Sequence, residues 1–112
     1  MTAMTDKELI RLAAKAAGIE HREHGISDDG CVWDVNRLLW WNPLTNDAHA
    51  VRLMVQLRIA VDPYVPELEN LSSDEKFSVA LLMDKRRFTQ PHKSDANAAT
   101  RRVIVRAAAE MN

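Results

Sequence analysis

Apolar residues recur with helical period in three stretches of this chain, the first of them near the N-terminus. Its apolar stripe consists of Leu9, Leu12, Ala13 and Ala16. Thr5 and Glu8 have the spacing of a capping box, and Gly18 suits the left-handed residue that follows a helix end. The pattern predicts a helix over residues 5–17.

The second helical pattern follows an Asn-Pro turn near the middle of the chain. Pro43 fixes its own φ and disfavours a helical Asn42, so the preceding segment must end there. Asn46 and Asp47 can then cap a new helix. Its apolar stripe consists of Ala50, Val51, Leu53, Met54, Val55 and Leu57. We predict a helix over residues 46–57 that packs through this stripe.

The third helical pattern lies near the C-terminus, where Ser94 or Asp95 can serve as the cap. Its apolar face consists of Ala96, Ala99, Val103, Ile104, Ala107, Ala108 and Met111. The pattern predicts a helix over residues 95–110. Three basic residues of this helix lie outside its apolar face, namely Arg101, Arg102 and Arg106.

Period-two alternation indicates strands between the first two helices. Residues 31–36 alternate after the turn sequence Asp28-Asp29-Gly30, so they could form a hairpin with a strand over residues 19–23. Residues 38–41 are apolar and lead into the Asn-Pro turn. They either extend the sheet or cross irregularly, and the pattern is compatible with both.

Further strands are predicted between the second and third helices. Residues 57–62 alternate briefly before Pro63, which ends a strand or confines it to a sheet edge. The apolar run 76–83 has the length of a strand buried on both faces, although its last four residues would also suit a helix. Asp84-Lys85 then turns the chain into a hairpin partner over residues 86–90.

These elements predict a single α/β domain of the α+β type over residues 1–112. We expect a small mixed or antiparallel sheet of about four strands with the helices 5–17, 46–57 and 95–110 packed on it. A chain of 112 residues can bury roughly two-thirds of its unfolded surface, so its core requires no disulfide.

Composition narrows the classes of function. The chain has 15 basic and 16 acidic residues, and a net charge of -1 argues against wholesale attraction to nucleic acid or anionic lipid. The single cysteine, Cys31, fits a reducing cytosol. Neither a signal peptide nor an apolar run of roughly 18 residues is present, so we expect a cytoplasmic protein that does not enter a membrane.

A metal site is the first candidate chemistry, because His21 and His24 are three residues apart and Cys31 follows. This spacing matches no zinc signature, and a structural zinc requires four good ligands. His49 and His92 are isolated in sequence. A solvated charged loop is therefore the favoured interpretation of residues 21–24, and we expect no metal, no cofactor and no catalytic residue.

Three tryptophans are the second candidate. Trp33, Trp40 and Trp41 could stack on nucleic-acid bases, but tryptophans in a small domain are more often core anchors. The adjacent pair Trp40 and Trp41 cannot both point inward from a strand. One of the two is therefore expected to be exposed and is the best candidate for a partner surface.

Basic residues are the third candidate. Residues 62–75 are acidic, whereas the last third of the chain contains Lys85, Arg86, Arg87, Lys93, Arg101, Arg102 and Arg106. Such a patch could contact phosphates or an acidic protein, yet solvated helix faces commonly carry this many arginines. The solvated interpretation is favoured.

Three segments carry a family resemblance: Met4 to Ile19, Trp41 to Leu53, and Ala99 to Glu110. In this order and spacing they resemble small tailed-phage and prophage proteins with the phage α-β-α sandwich domain. The resemblance implies an α/β sandwich and the cytoplasm of a host bacterium, but no activity, catalytic residue or cofactor. Family members usually have Gly-Asp where this chain has Ala48-His49, so the resemblance implies no role for His49.

The sequence thus leads to a functional hypothesis. We expect a non-enzymatic phage accessory protein, a monomer or a homodimer, that binds a host or phage macromolecule, with a protein as the favoured partner, for example in counter-defence or host takeover. Its candidate partner-binding residues are Trp40, Trp41, Arg101, Arg102 and Arg106. The alternative is a nucleic-acid-binding protein that uses the basic C-terminal hairpin and helix.

Overall fold

A computed structural model of the chain describes residues 4–19, 25–27, 30–62, 77–82, 86–91 and 95–111. Three helices and five strands lie within these ranges. In chain order they are α1 (Asp6–Ala16), β1 (Val32–Asp34), β2 (Leu39–Trp41), α2 (Asp47–Leu57), β3 (Ala60–Asp62), β4 (Phe77–Leu81), β5 (Arg87–Pro91) and α3 (Ala96–Ala109). This arrangement confirms the α+β class and all three predicted helices. None of the described helices is long and apolar enough to span a membrane.

The helix ends confirm the predicted caps. Thr5, Asn46 and Asp95 each accept a hydrogen bond from the backbone amide three residues later, which satisfies a donor that has no partner within the helix. Gly18 follows α1 with φ of 70°, as expected for a helix-terminating glycine. These caps act over a few residues, which is why the sequence alone locates them.

The strands form two antiparallel sheets within the described residues, whereas the sequence predicted one sheet of about four strands. β1 and β2 make a two-stranded hairpin, and β3, β4 and β5 make a three-stranded sheet with β4 in the centre. Residues 39–41 therefore continue the first sheet instead of crossing irregularly. The chain leaves this hairpin at the Asn-Pro turn and enters α2, and within the described ranges β3, β4 and β5 pair only with one another.

Helix α3 is the central layer of the described fold. It packs on β4 and β5 and also on α1 and α2. Its buried side chains are Ala99, Val103, Ile104, Val105, Ala107, Ala108 and Ala109. Because many of them are small, neighbouring elements can approach α3 from more than one side. The sequence predicted that all three helices pack on a sheet. In the structure α1 and α2 pack mainly on α3, so α3 occupies the central layer that a sheet occupies in a sandwich fold.

The apolar stripe predicted for α2 is only partly buried. Ala50 and Leu53 face the core, whereas Val51 is 50% exposed and Val55 is 66% exposed. The stripe was predicted too wide, because α2 packs mainly against one neighbouring helix and can bury only one narrow face.

The prediction that residues 76–83 form a strand buried on both faces is corrected by β4. Ala80 and Leu82 are buried, but Leu81 between them is 41% exposed. Successive strand residues point to opposite faces, and α3 covers the face that carries Ala80. Residues 76 and 83 and the predicted turn at 84–85 lie outside the described residues.

A pairing precedes β1 in the described residues, but it uses residues C-terminal to the predicted partner strand 19–23. Ile26 forms an isolated antiparallel bridge with Val32, and the amide of Trp33 donates to the carbonyl of Gly25 at 2.7 Å. Residues 20–23 of the predicted partner strand lie outside the described residues. The short segment 25–27 therefore flanks β1 on the side opposite β2.

Candidate functional site

The adjacent tryptophans of β2 point to opposite sides of the hairpin. Trp41 is 3% exposed and belongs to the core, whereas Trp40 is 51% exposed. This confirms that only one of the pair faces solvent, as strand geometry requires. It also corrects the candidate set, because the buried Trp41 cannot be part of a partner surface.

Trp40 is held in place by a second tryptophan. Trp33 and Trp40 are directly opposite in the antiparallel register, with ring centroids 5.3 Å apart and ring planes at 65°. Such edge-to-face pairs stabilise cross-strand neighbours, and a two-stranded sheet of three-residue strands depends on them. The exposed indole of Trp40 is therefore positioned by the hairpin before any partner arrives.

The turn between β1 and β2 is fixed by a buried carboxylate. Asp34 is 3% exposed, and its Oδ1 accepts from the amides of Asn36 at 3.0 Å and Arg37 at 3.2 Å. The amide of Leu38 donates to the carbonyl oxygen of Asp34 at 2.9 Å. Asp and Asn are common turn formers, so this turn had a local signal that the sequence analysis missed.

Leu38 ends the turn in an unusual conformation. Its φ is 57°, in the left-handed region that glycine and asparagine adopt more easily than leucine. Its side chain is nevertheless 71% exposed, the largest exposed fraction among the described large apolar residues. A leucine in this position gains little from burial within the chain, and no sequence pattern predicted it.

Asn42 and His49 join the hairpin to α2. The amide of Asn42 donates to Nδ1 of His49 at 3.0 Å, and the imidazole stacks on Trp41 with centroids 6.5 Å apart. The side chain of Asn42 accepts from the amide of Leu44 and donates to Sγ of Cys31 at 3.4 Å. The polar atoms of this junction therefore serve the connection between two elements.

The charge state of His49 follows from this environment. Burial lowers the pKa of His49 below 6.5, and the positive charges of Arg52 and Arg37 lower it further. Nδ1 must be unprotonated in order to accept from Asn42. The neutral imidazole is therefore the form that fits the fold, and both arginines lie close enough to act on it.

The three arginines that are candidates for partner binding connect α3 to its neighbours. Arg101 donates to the carbonyl of Leu44 at 2.8 Å and to the carboxylate of Asp47 at 2.7 Å, which fixes the start of α2. Arg102 forms an ion pair with Asp6 at 2.8 Å, at the start of α1. Both carboxylates lie at the positive end of a helix dipole, where an acidic residue is also favourable.

Arg106 connects α3 to the three-stranded sheet. Its guanidinium donates to the carbonyl of Thr89 at 2.7 Å and to the side-chain oxygen of Gln90 at 3.0 Å, both in β5. Arg86 binds the carbonyl of Glu110 at 2.9 Å, at the end of α3, where a cation also complements the helix dipole. The basic character of this region thus has structural roles. Lys85, Lys93 and most of the predicted acidic segment lie outside the described residues.

Two other arginines make weaker contacts within the described residues. Arg37 is 53% exposed and approaches the carboxylate of Asp34 only at 4.0 Å. Arg52 is exposed, and within the described residues no ion pair or hydrogen bond ties down its side chain. Neither arginine was a candidate in the sequence analysis, since each is isolated among residues of other types.

The residues considered for a metal site are described only in part. His21, His24 and His92 lie outside the described residues. Across the ranges that the structure describes, no group of three or more His, Cys, Asp or Glu side chains is placed to hold a metal ion. Cys31 is half-buried, and its sulfur accepts from Asn42.

Comparison with protein-family models gives no match, and neither curated proteins nor solved structures include a significant match to this chain.

Proposed function

We propose that this chain is a small, non-enzymatic accessory protein of a tailed phage or prophage, and that it binds a protein in the host cytoplasm. Its binding surface is the outer side of the β1–β2 hairpin, which we name the hairpin face and define by Trp33, Leu38 and Trp40. The single observation that carries this proposal is the 51% exposure of Trp40 on a hairpin where Trp33 packs against its ring.

The physical basis is the large apolar area of an indole side chain. Tryptophan is enriched among the residues that dominate binding energy at protein interfaces. A side chain already fixed by a neighbour loses little rotamer freedom on binding, so more of the contact energy appears as affinity. Trp40 meets both conditions, because Trp33 restricts its ring and about half of its surface is open.

The polar groups near the hairpin support the non-enzymatic part of the proposal. Asp34, Asn42 and His49 each form hydrogen bonds that hold a turn or join two elements. A catalytic group would instead direct its reactive atom toward a space that a substrate can enter. The phage origin and the host cytoplasm come from the resemblance alone.

The alternative partner is a nucleic acid bound through the basic C-terminal region. The intramolecular contacts of Arg101, Arg102 and Arg106 favour a protein partner, because binding phosphates would compete with these contacts. An affinity for nucleic acid through these residues would also require a steep loss of binding with rising salt.

The test is an affinity pull-down from a lysate of the bacterium that carries the sequence, with and without nuclease. Trp40→Thr removes the exposed indole and retains a β-favouring residue. Leu81→Thr is the matched control, because it replaces an apolar strand residue that is 41% exposed on the other sheet. Thermal unfolding of each variant shows that it is folded.

We expect a discrete protein that survives nuclease, binds the Leu81→Thr control and is lost with Trp40→Thr. Retention of that protein by a folded Trp40→Thr variant would overturn the hairpin face as the binding surface. Recovery of nucleic acid alone, removed by nuclease and reduced by Arg102→Gln, would support the alternative instead.

A further inference from the structure

The hydrogen bonds of β1 show which way the paired tryptophans direct their backbone groups. The amide of Trp33 donates to the carbonyl of Gly25 at 2.7 Å, on the side of β1 that is opposite β2. The N–H and C=O groups of one residue in an antiparallel strand point to the same side, and residues directly opposite each other share one pattern. Trp40 lies opposite Trp33, so its N–H and C=O groups point away from β1.

Trp40 therefore places one backbone donor and one backbone acceptor on the outer edge of β2. Within the described residues β1 is the strand that pairs with β2, and no hydrogen bond uses these two groups of Trp40. The neighbouring amides on this edge are already bonded, because Leu38 donates to the carbonyl of Asp34 and Asn42 donates to His49. The open part of the edge is thus one residue long.

Other strands of this chain have protected edges. The segment 25–27 covers the outer edge of β1. In the edge strand β5, the carbonyl of Thr89 accepts from Arg106 at 2.7 Å, and Pro91 has no N–H to offer. Neither device protects β2 at Trp40. An open edge can pair with another chain, and a two-stranded sheet of short strands is stabilised by further strands.

We infer that the outer edge of β2 pairs with β2 of a second copy of this chain, antiparallel, around a two-fold axis at Trp40. The N–H of each Trp40 then donates to the C=O of the other, which satisfies the open groups of both copies. The product is a four-stranded sheet in the order β1-β2-β2-β1. Trp33 and Trp40 of both copies lie on one face of it, so the dimer doubles the hairpin face. This inference goes beyond the proposed function and does not rest on it.

The one-residue length of the open edge favours a second copy over a strand of another protein. A longer strand would meet the committed amides of Leu38 and Asn42 and gain no hydrogen bond from them. A two-fold copy has its own amides committed at the same positions, so none of these amides is buried without a partner.

The side chains at the two-fold axis also suit a second copy. The two Trp40 indoles, each 51% exposed, become direct cross-strand neighbours, and aromatic pairs of this kind stabilise sheets. In this register residue 38 of one copy is level with residue 42 of the other. The side chain of Leu38, which is 71% exposed, therefore lies at the seam between the two copies.

The first experiment is sedimentation equilibrium of the full chain over a range of protein concentrations, which measures the dissociation constant of the dimer. The test variants are Trp40→Thr and Trp40→Pro. Both lack the indole, but only the proline variant also lacks the N–H. This N–H points away from β1, so the proline removes no hydrogen bond within the hairpin. Thermal unfolding shows that each variant is folded.

Val61→Pro is the matched control, on the edge strand β3 of the other sheet. The amide of Leu82 donates to the carbonyl of Arg86, so Ala80, two residues earlier, also bonds toward β5. Val61 lies opposite Ala80, and its N–H therefore points outward from the sheet. The control removes an outward N–H from an edge that the proposed dimer does not use.

The second experiment follows backbone amide exchange of the unmodified chain by NMR at low and high protein concentration. It requires no substitution, so it remains decisive if a Trp40 variant does not fold or if Trp40→Thr already abolishes the dimer. The amide of Trp40 should exchange at least about fivefold more slowly where the dimer is populated, because it becomes hydrogen-bonded. The amide of Val61 should not change.

We expect a dimer that dissociates on dilution, with a dissociation constant of about 1 mM or tighter. Trp40→Thr should weaken it at least about threefold through loss of the paired indoles. Trp40→Pro should be at least about tenfold weaker than Trp40→Thr, because both hydrogen bonds across the axis are lost. Val61→Pro should leave the dissociation constant within about twofold of the original value.

A chain that stays monomeric up to about 1 mM would overturn the inference. A dimer that folded Trp40→Pro retains, or that only Val61→Pro removes, would place the contact elsewhere and overturn it as well. So would exchange of the Trp40 amide that is independent of concentration. The proposed function fails separately, when the pull-down partner is retained by folded Trp40→Thr, since sedimentation and exchange use the purified chain alone.

Discussion

The backbone amide of Asn42 donates to Nδ1 of His49 at 3.0 Å, and this bond joins the exit of the β1–β2 hairpin to the first turn of α2. His49 also lies against the buried ring of Trp41, with ring planes at 24°. The position of the hairpin therefore depends on a titratable group that must stay neutral.

Acidification should weaken the fold through His49. Its folded pKa is below its unfolded value of 6.5, mainly because of burial, so it contributes stability above pH 6.5. That contribution is lost as the pH falls below 6.5 and through the folded pKa. Urea unfolding at a series of pH values measures the effect. His49→Asn is the comparison, because Asn offers an uncharged acceptor to the same amide. Parallel pH profiles for both proteins would rule out the effect.

Removing the guanidinium of Arg101 should destabilise the chain more than removing an exposed one. Arg101→Met deprives the Leu44 carbonyl and the Asp47 carboxylate of their contacts. We expect a loss of about 1–2 kcal/mol in the free energy of unfolding, mostly from the carbonyl bond, because Asp47 is exposed and its ion pair is screened by solvent. Arg87→Met is the control, with an expected change within about 0.5 kcal/mol. Equal effects in denaturant unfolding would contradict the assigned role of Arg101.

Neighbouring tryptophans should have very different effects on stability. Trp41→Ala leaves a cavity at a buried position and should lower the free energy of unfolding by about 3–5 kcal/mol. Trp40→Thr removes a half-exposed ring and its edge-to-face contact with Trp33, and should cost about 1 kcal/mol. Chemical denaturation of both variants gives the comparison. A cost for Trp40→Thr as large as that for Trp41→Ala would mean that Trp40 is a core residue.

Two glycines with positive φ allow a test of close packing. Gly18→Ala and Gly30→Ala both place a side chain in a strained backbone conformation. Each substitution should lower the free energy of unfolding by about 1–2 kcal/mol. A Cβ at Gly18 would meet no neighbour within 4 Å, whereas one at Gly30 would lie 3.3 Å from Cδ1 of Ile10 in α1. Gly30→Ala should therefore cost about 1 kcal/mol more. Similar midpoints in thermal unfolding would show that α1 moves away easily.

The helices could be located from sequence because their signals are local. Thr5, Asn46 and Asp95 each bind an amide three residues away, and apolar spacing identifies the helix between cap and end. The partners of the arginines could not be predicted in this way. Arg101 meets Asp47, a residue more than fifty positions earlier, and only the packing of α3 against α2 brings the two together.

The hairpin also shows the difference between relationships that are local in sequence and those that depend on tertiary packing. The left-handed conformation of Leu38 depends on a turn that Asp34 closes, and the hydrogen bond between Asn42 and His49 depends on how α2 meets the hairpin. Spacing along the chain carries no information on either relationship, because the contributing side chains come from separate elements.

The two adjacent tryptophans show where the sequence stops and the tertiary structure begins. The alternation of side chains along a strand requires Trp40 and Trp41 to point in opposite directions, and this follows from the sequence once a strand is assumed. Which of them is buried depends on what packs against each side of the hairpin. In the structure Trp41 packs into the core and against His49 of α2, and this tertiary packing leaves Trp40 facing solvent.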